Sequence, residues 1–172
     1  RTLDSIETAA KQQGHITGLQ TGFRDLDYKT AGLQPSDLIL IAARPAMGKT
    51  AFVLNLAEYI ALHSQSTIAM FSLEMSKEQL VKRMLSMNSK VDSQKIRTGN
   101  LEDEDWGKLV DSVRRLGNSN LVIDDSSGIT ASEIHSKCRR LKMEKGLDLV
   151  IIDYLQLMSG GGKRRGDSRQ QE

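Results

Sequence analysis

The stretch Ala43-Arg44-Pro45-Ala46-Met47-Gly48-Lys49-Thr50 decides how this chain is read. It follows the P-loop pattern, except that Ala43 stands where a glycine usually opens the motif. A small residue there still permits the turn. The order of residues has a chemical reason. A loop between a strand and a helix turns its backbone N–H groups inward, where they hold polyphosphate oxygens. Gly48 lets the backbone approach closely, and Lys49 brings a point positive charge to the β- and γ-phosphates. Thr50 offers a hydroxyl to Mg²⁺. The eight residues 43–50 are therefore the expected nucleotide-binding loop, for ATP with Mg²⁺.

The flanks fit this reading. Leu38-Ile39-Leu40-Ile41 precedes the loop as a continuous apolar run, expected to form a buried strand. After Thr50, the residues Phe52, Val53, Leu56, Ala57, Ile60 and Ala61 recur at helical spacing. Three more apolar runs read as strands: Ile68–Phe71, Leu121–Ile123 and Leu149–Ile152. Continuous rather than alternating runs suit strands covered on both faces, as in a parallel sheet. Between them, Ser76 with Gln79 and Thr130 with Glu133 have the spacing of capping boxes. They introduce apolar stripes at Leu80, Val81, Met84, Leu85 and at Ile134, Cys138, Leu141. A further stripe is expected at Trp106, Leu109, Val110, Val113 and Leu116, and Gly146 is a plausible helix stop. Strands alternating with helices predict an α/β fold, a mostly parallel sheet flanked by helices. The first 35 or so residues, punctuated by Gly14, Gly18, Gly22 and Gly32, read as a segment leading into that core.

Hydrolysis needs a carboxylate near the metal and a group that positions water. Leu149-Val150-Ile151-Ile152-Asp153 is an apolar strand ending in an acid, which makes Asp153 the expected partner of Mg²⁺. Ligand groups collect at the C-terminal ends of strands in such sheets. Glu74 lies just past the second run, and Asp124 and Asp125 lie past the third. Any of the three could act on the attacking water.

Composition narrows the class. The charged and hydrophobic fractions, 27% and 38%, are those of an ordinary globular domain. No apolar run reaches transmembrane length, and Arg1 to Gln13 lacks the apolar core of a secretory signal. One cysteine and three histidines give neither a disulfide framework nor a metal cluster, and fit a reducing, cytoplasmic setting. The net charge of +2 is too small to argue for nucleic acid. The last ten residues are locally basic, however, with Lys163, Arg164, Arg165 and Arg169 in a glycine-rich context suited to meeting an anion.

Taken together, four segments resemble the DnaB replicative helicase family: Gly18-Leu19-Gln20-Thr21-Gly22-Phe23-Arg24-Asp25-Leu26-Asp27, the loop 43–50 with its alanine, Phe71-Ser72-Leu73-Glu74-Met75-Ser76, and Ile151-Ile152-Asp153-Tyr154-Leu155-Gln156-Leu157-Met158. The resemblance implies a RecA-like P-loop NTPase core over residues 18–172, with residues 1–17 as a linker that packs on a neighbouring subunit. It selects Glu74 as the catalytic glutamate, acting with Lys49, and gives Asp153 and Thr50 to the metal. It places Lys163, Arg164 and Arg165 in a DNA-facing channel loop, where they would neutralise single-strand phosphates. It also implies a homo-hexamer moving 5′ to 3′, with primase and a helicase loader as partners. The family continues past the end of this sequence with further strands, a glutamine sensor and an arginine finger, so the sheet is expected to lack its C-terminal strands. Two other readings stay open: a RecA- or RadA-like recombinase ATPase, and a nucleotide-binding fragment with no turnover of its own.

Overall fold

The computed structural model describes residues 16–154. Three parallel strands form the sheet: β1 (Ile68–Ser72), β2 (Leu121–Asp124) and β3 (Leu149–Asp153), in the order β2-β1-β3. Among the described residues six helices accompany them: α1 (Arg24–Thr30), α2 (Lys49–His63), α3 (Lys77–Ser89), α4 (Ser93–Thr98), α5 (Asp103–Gly117) and α6 (Ala131–Lys145). The central strand is buried along its whole length, as its unbroken apolar run predicts.

Side chains alternate across that strand and sort the helices onto two faces. Ile68 and Met70 meet Val53, Leu54, Leu56 and Ile60 of α2 and Leu80 and Met84 of α3. Ala69 and Phe71 meet Ile129 and, from α6, Ile134, Cys138 and Leu141. Helices thus cover both faces of β1. The two expected capping boxes form, Ser76 with Gln79 and Thr130 with Glu133. Gly146 closes α6 at a φ of 82°.

Three expectations need correction. Leu38–Ile41 is not a strand. Among the described residues it pairs with nothing, and its side chains are 42–85% exposed. A run becomes a strand only when its N–H and C=O groups meet a neighbouring ladder, so apolar content alone is not sufficient. Second, α5 buries only part of its expected stripe: Leu109 is buried and Leu116 packs on the core, whereas Trp106, Val110 and Val113 are each 55% exposed. The inner face carries Asp105, Leu109 and Ser112. Polar partners set that rotation. Asp105 accepts from Lys95 Nζ at 2.9 Å and from the Glu102 N–H at 3.2 Å. Ser112 donates to Asn88 of α3 at 2.8 Å, and Asn88 donates to Glu58 of α2 at 2.9 Å. Burying the apolar stripe instead would take Ser112 away from the partly buried Asn88 and leave its amide oxygen unpaired, at a cost of about 1–3 kcal/mol.

Third, residues 18–33, read from their glycine pattern as leading into the core, belong to the folded body, within the bounds that the resemblance implies for the domain. Leu19 and Leu33 form an antiparallel bridge and pack on the α2 side of the core. Between them sits α1. Its buried Asp27 accepts from the Thr21 N–H at 2.8 Å, the Thr21 hydroxyl at 2.6 Å and the Gly22 N–H at 3.1 Å. Gly22 has a φ of 86°, and a Cβ there would stand 2.6 Å from the Tyr59 ring. Only glycine fits both conditions without strain.

Candidate functional site

The site forms at the C-terminal ends of β1 and β3, where the sheet order places the turns that follow neighbouring strands side by side. The loop 43–48 is exposed. Pro45 and Ala46 make its turn, with Ala46 at a φ of 62°, and the Met47 N–H donates to the Arg44 carbonyl at 3.3 Å. Gly48 then precedes α2 at a φ of 89°. Among the described residues, no atom beyond its chain neighbours lies within 4 Å of the place a Cβ on Gly48 would take, so its dihedral, not crowding, calls for glycine.

The start of α2 differs from that of the other long helices. α3, α5 and α6 each carry acidic residues in the first turn, and α3 and α6 are closed by capping boxes. α2 has neither an acidic first turn nor a side-chain cap. Its first N–H groups and its partial positive charge therefore face the loop uncompensated, the condition that favours an anion.

Lys49 and Thr50, the first two residues of α2, both reach Asp153 at the end of β3. The Thr50 hydroxyl donates to Asp153 Oδ2 at 2.8 Å, and Lys49 Nζ stands 3.2 Å from Asp153 Oδ1. Asp153 is buried, so both carboxylate oxygens are engaged in a low-dielectric setting. Lys49 Nζ also lies over the Tyr154 ring, 3.9 Å from its centroid. Spacing arguments pass over Tyr154, although an aromatic directly after the strand-end acid was the available signal.

Glu74 lies on the turn after β1. Ser72 pairs in register with Asp153, and the Leu73 N–H donates to the Asp153 carbonyl at 2.8 Å, so Glu74 leaves the sheet beside Asp153. The Ser72 hydroxyl fixes this turn, donating to the Met75 carbonyl at 2.7 Å and accepting from the Met75 N–H at 3.3 Å. Glu74 is exposed and makes no hydrogen bond or ion pair with another described residue.

The rival acids are occupied. Burial pushes the Asp124 carboxyl up, but hydrogen bonds from Lys137 and Ser126 outweigh this and hold it at about 2. Asp125 accepts from the Lys77 N–H at 2.7 Å, at the start of α3. Both acids therefore have structural partners that Glu74 lacks among the described residues. Lys163, Arg164 and Arg165, the 155–158 part of the last motif and residues 1–15 of the expected linker lie outside the described residues. A cleft of about 750 Å³ opens elsewhere, at the far end of α2, lined by Tyr59, His63, Asn88 and Arg115 among others.

Among the described residues no group of three or more His, Cys, Asp or Glu could hold a metal, and no helix is long and apolar enough to cross a membrane. The hard oxygens of Thr50 and Asp153, already adjacent, are the type Mg²⁺ prefers when phosphates complete its shell.

Residues 18–172 match the family described as the DnaB-like helicase C terminal domain. The replicative DNA helicase DnaC of Bacillus subtilis (strain 168) is 53% identical over all 172 residues, and the replicative DNA helicase DnaB of Geobacillus stearothermophilus is 50% identical over the same length. The chain spans 38% of each of those relatives. A solved DnaB-like replicative helicase, described with its interactions with primase, superimposes with a TM-score of 0.85 at 36% identity, over 96% of this chain and 40% of that one. The three-stranded parallel sheet with helices on both faces is accordingly the RecA-like ATPase fold of these helicases. The chain belongs to the DnaB-like helicase C-terminal domain family.

Proposed function

We propose that this chain is the ATP-hydrolysing motor of a replicative DNA helicase, and that the loop 43–50 is its nucleotide site. One observation carries the reading: Lys49 and Thr50 converge on the buried Asp153 in front of an uncapped helix start. The backbone of Ala43, Arg44, Pro45, Ala46, Met47 and Gly48 wraps the phosphates, and Lys49 neutralises the β- and γ-oxygens. Thr50 and Asp153 hold Mg²⁺, which supplies charge neutralisation on the phosphate oxygens when bound. Glu74, free of other partners among the described residues and beside Asp153, orients the attacking water and accepts its proton.

The rest of the proposal follows from kinship. Lys163, Arg164 and Arg165 contact the backbone of single-stranded DNA, a sequence-independent and salt-sensitive interaction. The full protein works in the cytoplasm as a homo-hexamer that moves 5′ to 3′, with primase and a loader as partners. Residues 1–17 form the linker and 18–172 the ATPase domain. Nucleotide exchange shifts the arrangement of neighbouring subunits, and the channel loops follow.

The test is steady-state ATPase with and without single-stranded DNA, on this chain and on a protein of the relatives' full length. The longer protein should hydrolyse ATP faster when DNA is added and should separate duplex strands. ATP-dependent strand pairing without unwinding would favour a recombinase and reject the proposal.

A further inference from the structure

We infer that Tyr154 is a positioning residue for the P-loop lysine: its ring face holds the Lys49 ammonium in place while that ammonium exchanges Asp153 for a phosphate. The inference rests on the nucleotide-site reading given above. Lys49 Nζ has two neighbours of different kinds, the Asp153 carboxylate at 3.2 Å and the Tyr154 ring at 3.9 Å. The carboxylate competes with phosphate for the same charge, so Lys49 must leave it when nucleotide binds. The ring is neutral. It attracts the cation through its quadrupole without offering a rival anion. A lysine side chain has several free torsions, and confining it beforehand lowers the entropy lost on meeting phosphate. Lys49 is only 24% exposed, and partial desolvation strengthens such a contact. Tyr154 directly follows Asp153, so the chain that places the metal-binding acid also places the ring.

The test is equilibrium binding of fluorescent ATP and AMP analogues to four variants. Tyr154→Leu should weaken ATP binding roughly three- to tenfold, and Tyr154→Phe, which keeps the ring, should stay within about twofold of the parent. AMP binding should not change, because AMP has no β- or γ-phosphate for Lys49 to meet. Tyr154→Leu should add no further loss in a Lys49→Ala background, since the ring would act only through that lysine. Unchanged or tighter ATP binding in Tyr154→Leu, or an equal loss for AMP, overturns the inference while leaving the nucleotide site intact, provided Lys49→Ala still weakens ATP binding. If Lys49→Ala itself leaves ATP affinity unaltered, the site reading fails and takes the inference with it. A measurement on the unmutated protein guards against a misfolded variant. The Lys49 side-chain methylene protons should show an upfield ring-current shift in NMR spectra, kept after ATP is added. Loss of that shift on ATP binding refutes the inference.

Discussion

Lys49 and Asp153 form an ion pair in which the acid is almost wholly enclosed, 4% exposed, and the amine one-quarter exposed. The pair is asymmetric: the buried member stays put, and the longer, more accessible side chain is the one able to change partners. In Lys49→Ala the phosphates lose a charge-assisted bond. ATP affinity should fall about 10- to 150-fold, from the roughly 1.5–3 kcal/mol such a bond contributes. Titration of a fluorescent ATP analogue checks this, and an unchanged affinity would refute the phosphate-binding role of the loop.

Glu74→Gln keeps the size of the side chain and removes its basicity. Turnover should drop about 10²- to 10⁴-fold, the usual contribution of a positioned general base. ATP binding should remain near the parent value, because Glu74 has no part in holding phosphate in this scheme. Comparable turnover in the variant would return the role to another acid.

Gly22→Ala should destabilise the fold without touching the nucleotide loop. The substitution forces a non-glycine residue to a φ of 86° and drives a methyl group to within 2.6 Å of the Tyr59 ring. A loss of about 1–3 kcal/mol is expected, read as a lower denaturant midpoint in urea. A midpoint equal to the parent's would show that Tyr59 yields at little cost.

Acid stability should depend on Asp124. Its folded pKa, about 2, lies below its ordinary value of 3.8. The stabilisation is therefore fully present above pH 4 and is lost as pH falls toward 2. Lys137→Met should flatten the stability curve across that interval, and Asp124→Asn should do the same. Parallel curves for parent and variants in acid urea titrations would contradict the ion pair's role.

Neutralising Lys163, Arg164 and Arg165 together should weaken single-stranded DNA binding by the full-length protein. The slope of log affinity against log salt should become shallower by about 2, taking about 0.7 per phosphate contact on a single strand. An unaltered slope would remove these residues from the DNA path.

Much of this architecture was legible in the sequence. The loop, the central strand and both capping boxes follow from local rules, since glycine, β-branched residues and cap spacing act over a few residues. What local rules could not supply were partners. Leu38–Ile41 looks like a strand because its side chains are apolar, yet strand formation depends on a ladder elsewhere. The rotation of α5 depends on Asn88 and Lys95 in other helices, which no periodicity within α5 reveals. The helix Arg24–Thr30 lacks an apolar stripe and is held instead by Asp27 buried under Thr21. At the site, Asp153 and Glu74 were visible as acids at strand ends, whereas the stacking of Tyr154 on Lys49 needed the strand register.

The hydroxyl of Thr50 and the carboxylate it meets are separated by 103 positions along the chain. Synthesis on the ribosome proceeds at roughly 5–20 residues per second, so about 5–20 s pass between their appearances. Throughout that interval a nascent chain displays its phosphate loop without the acid that would complete it. On the function proposed above, metal-dependent capture of nucleotide begins only after β3 has emerged and docked beside β1.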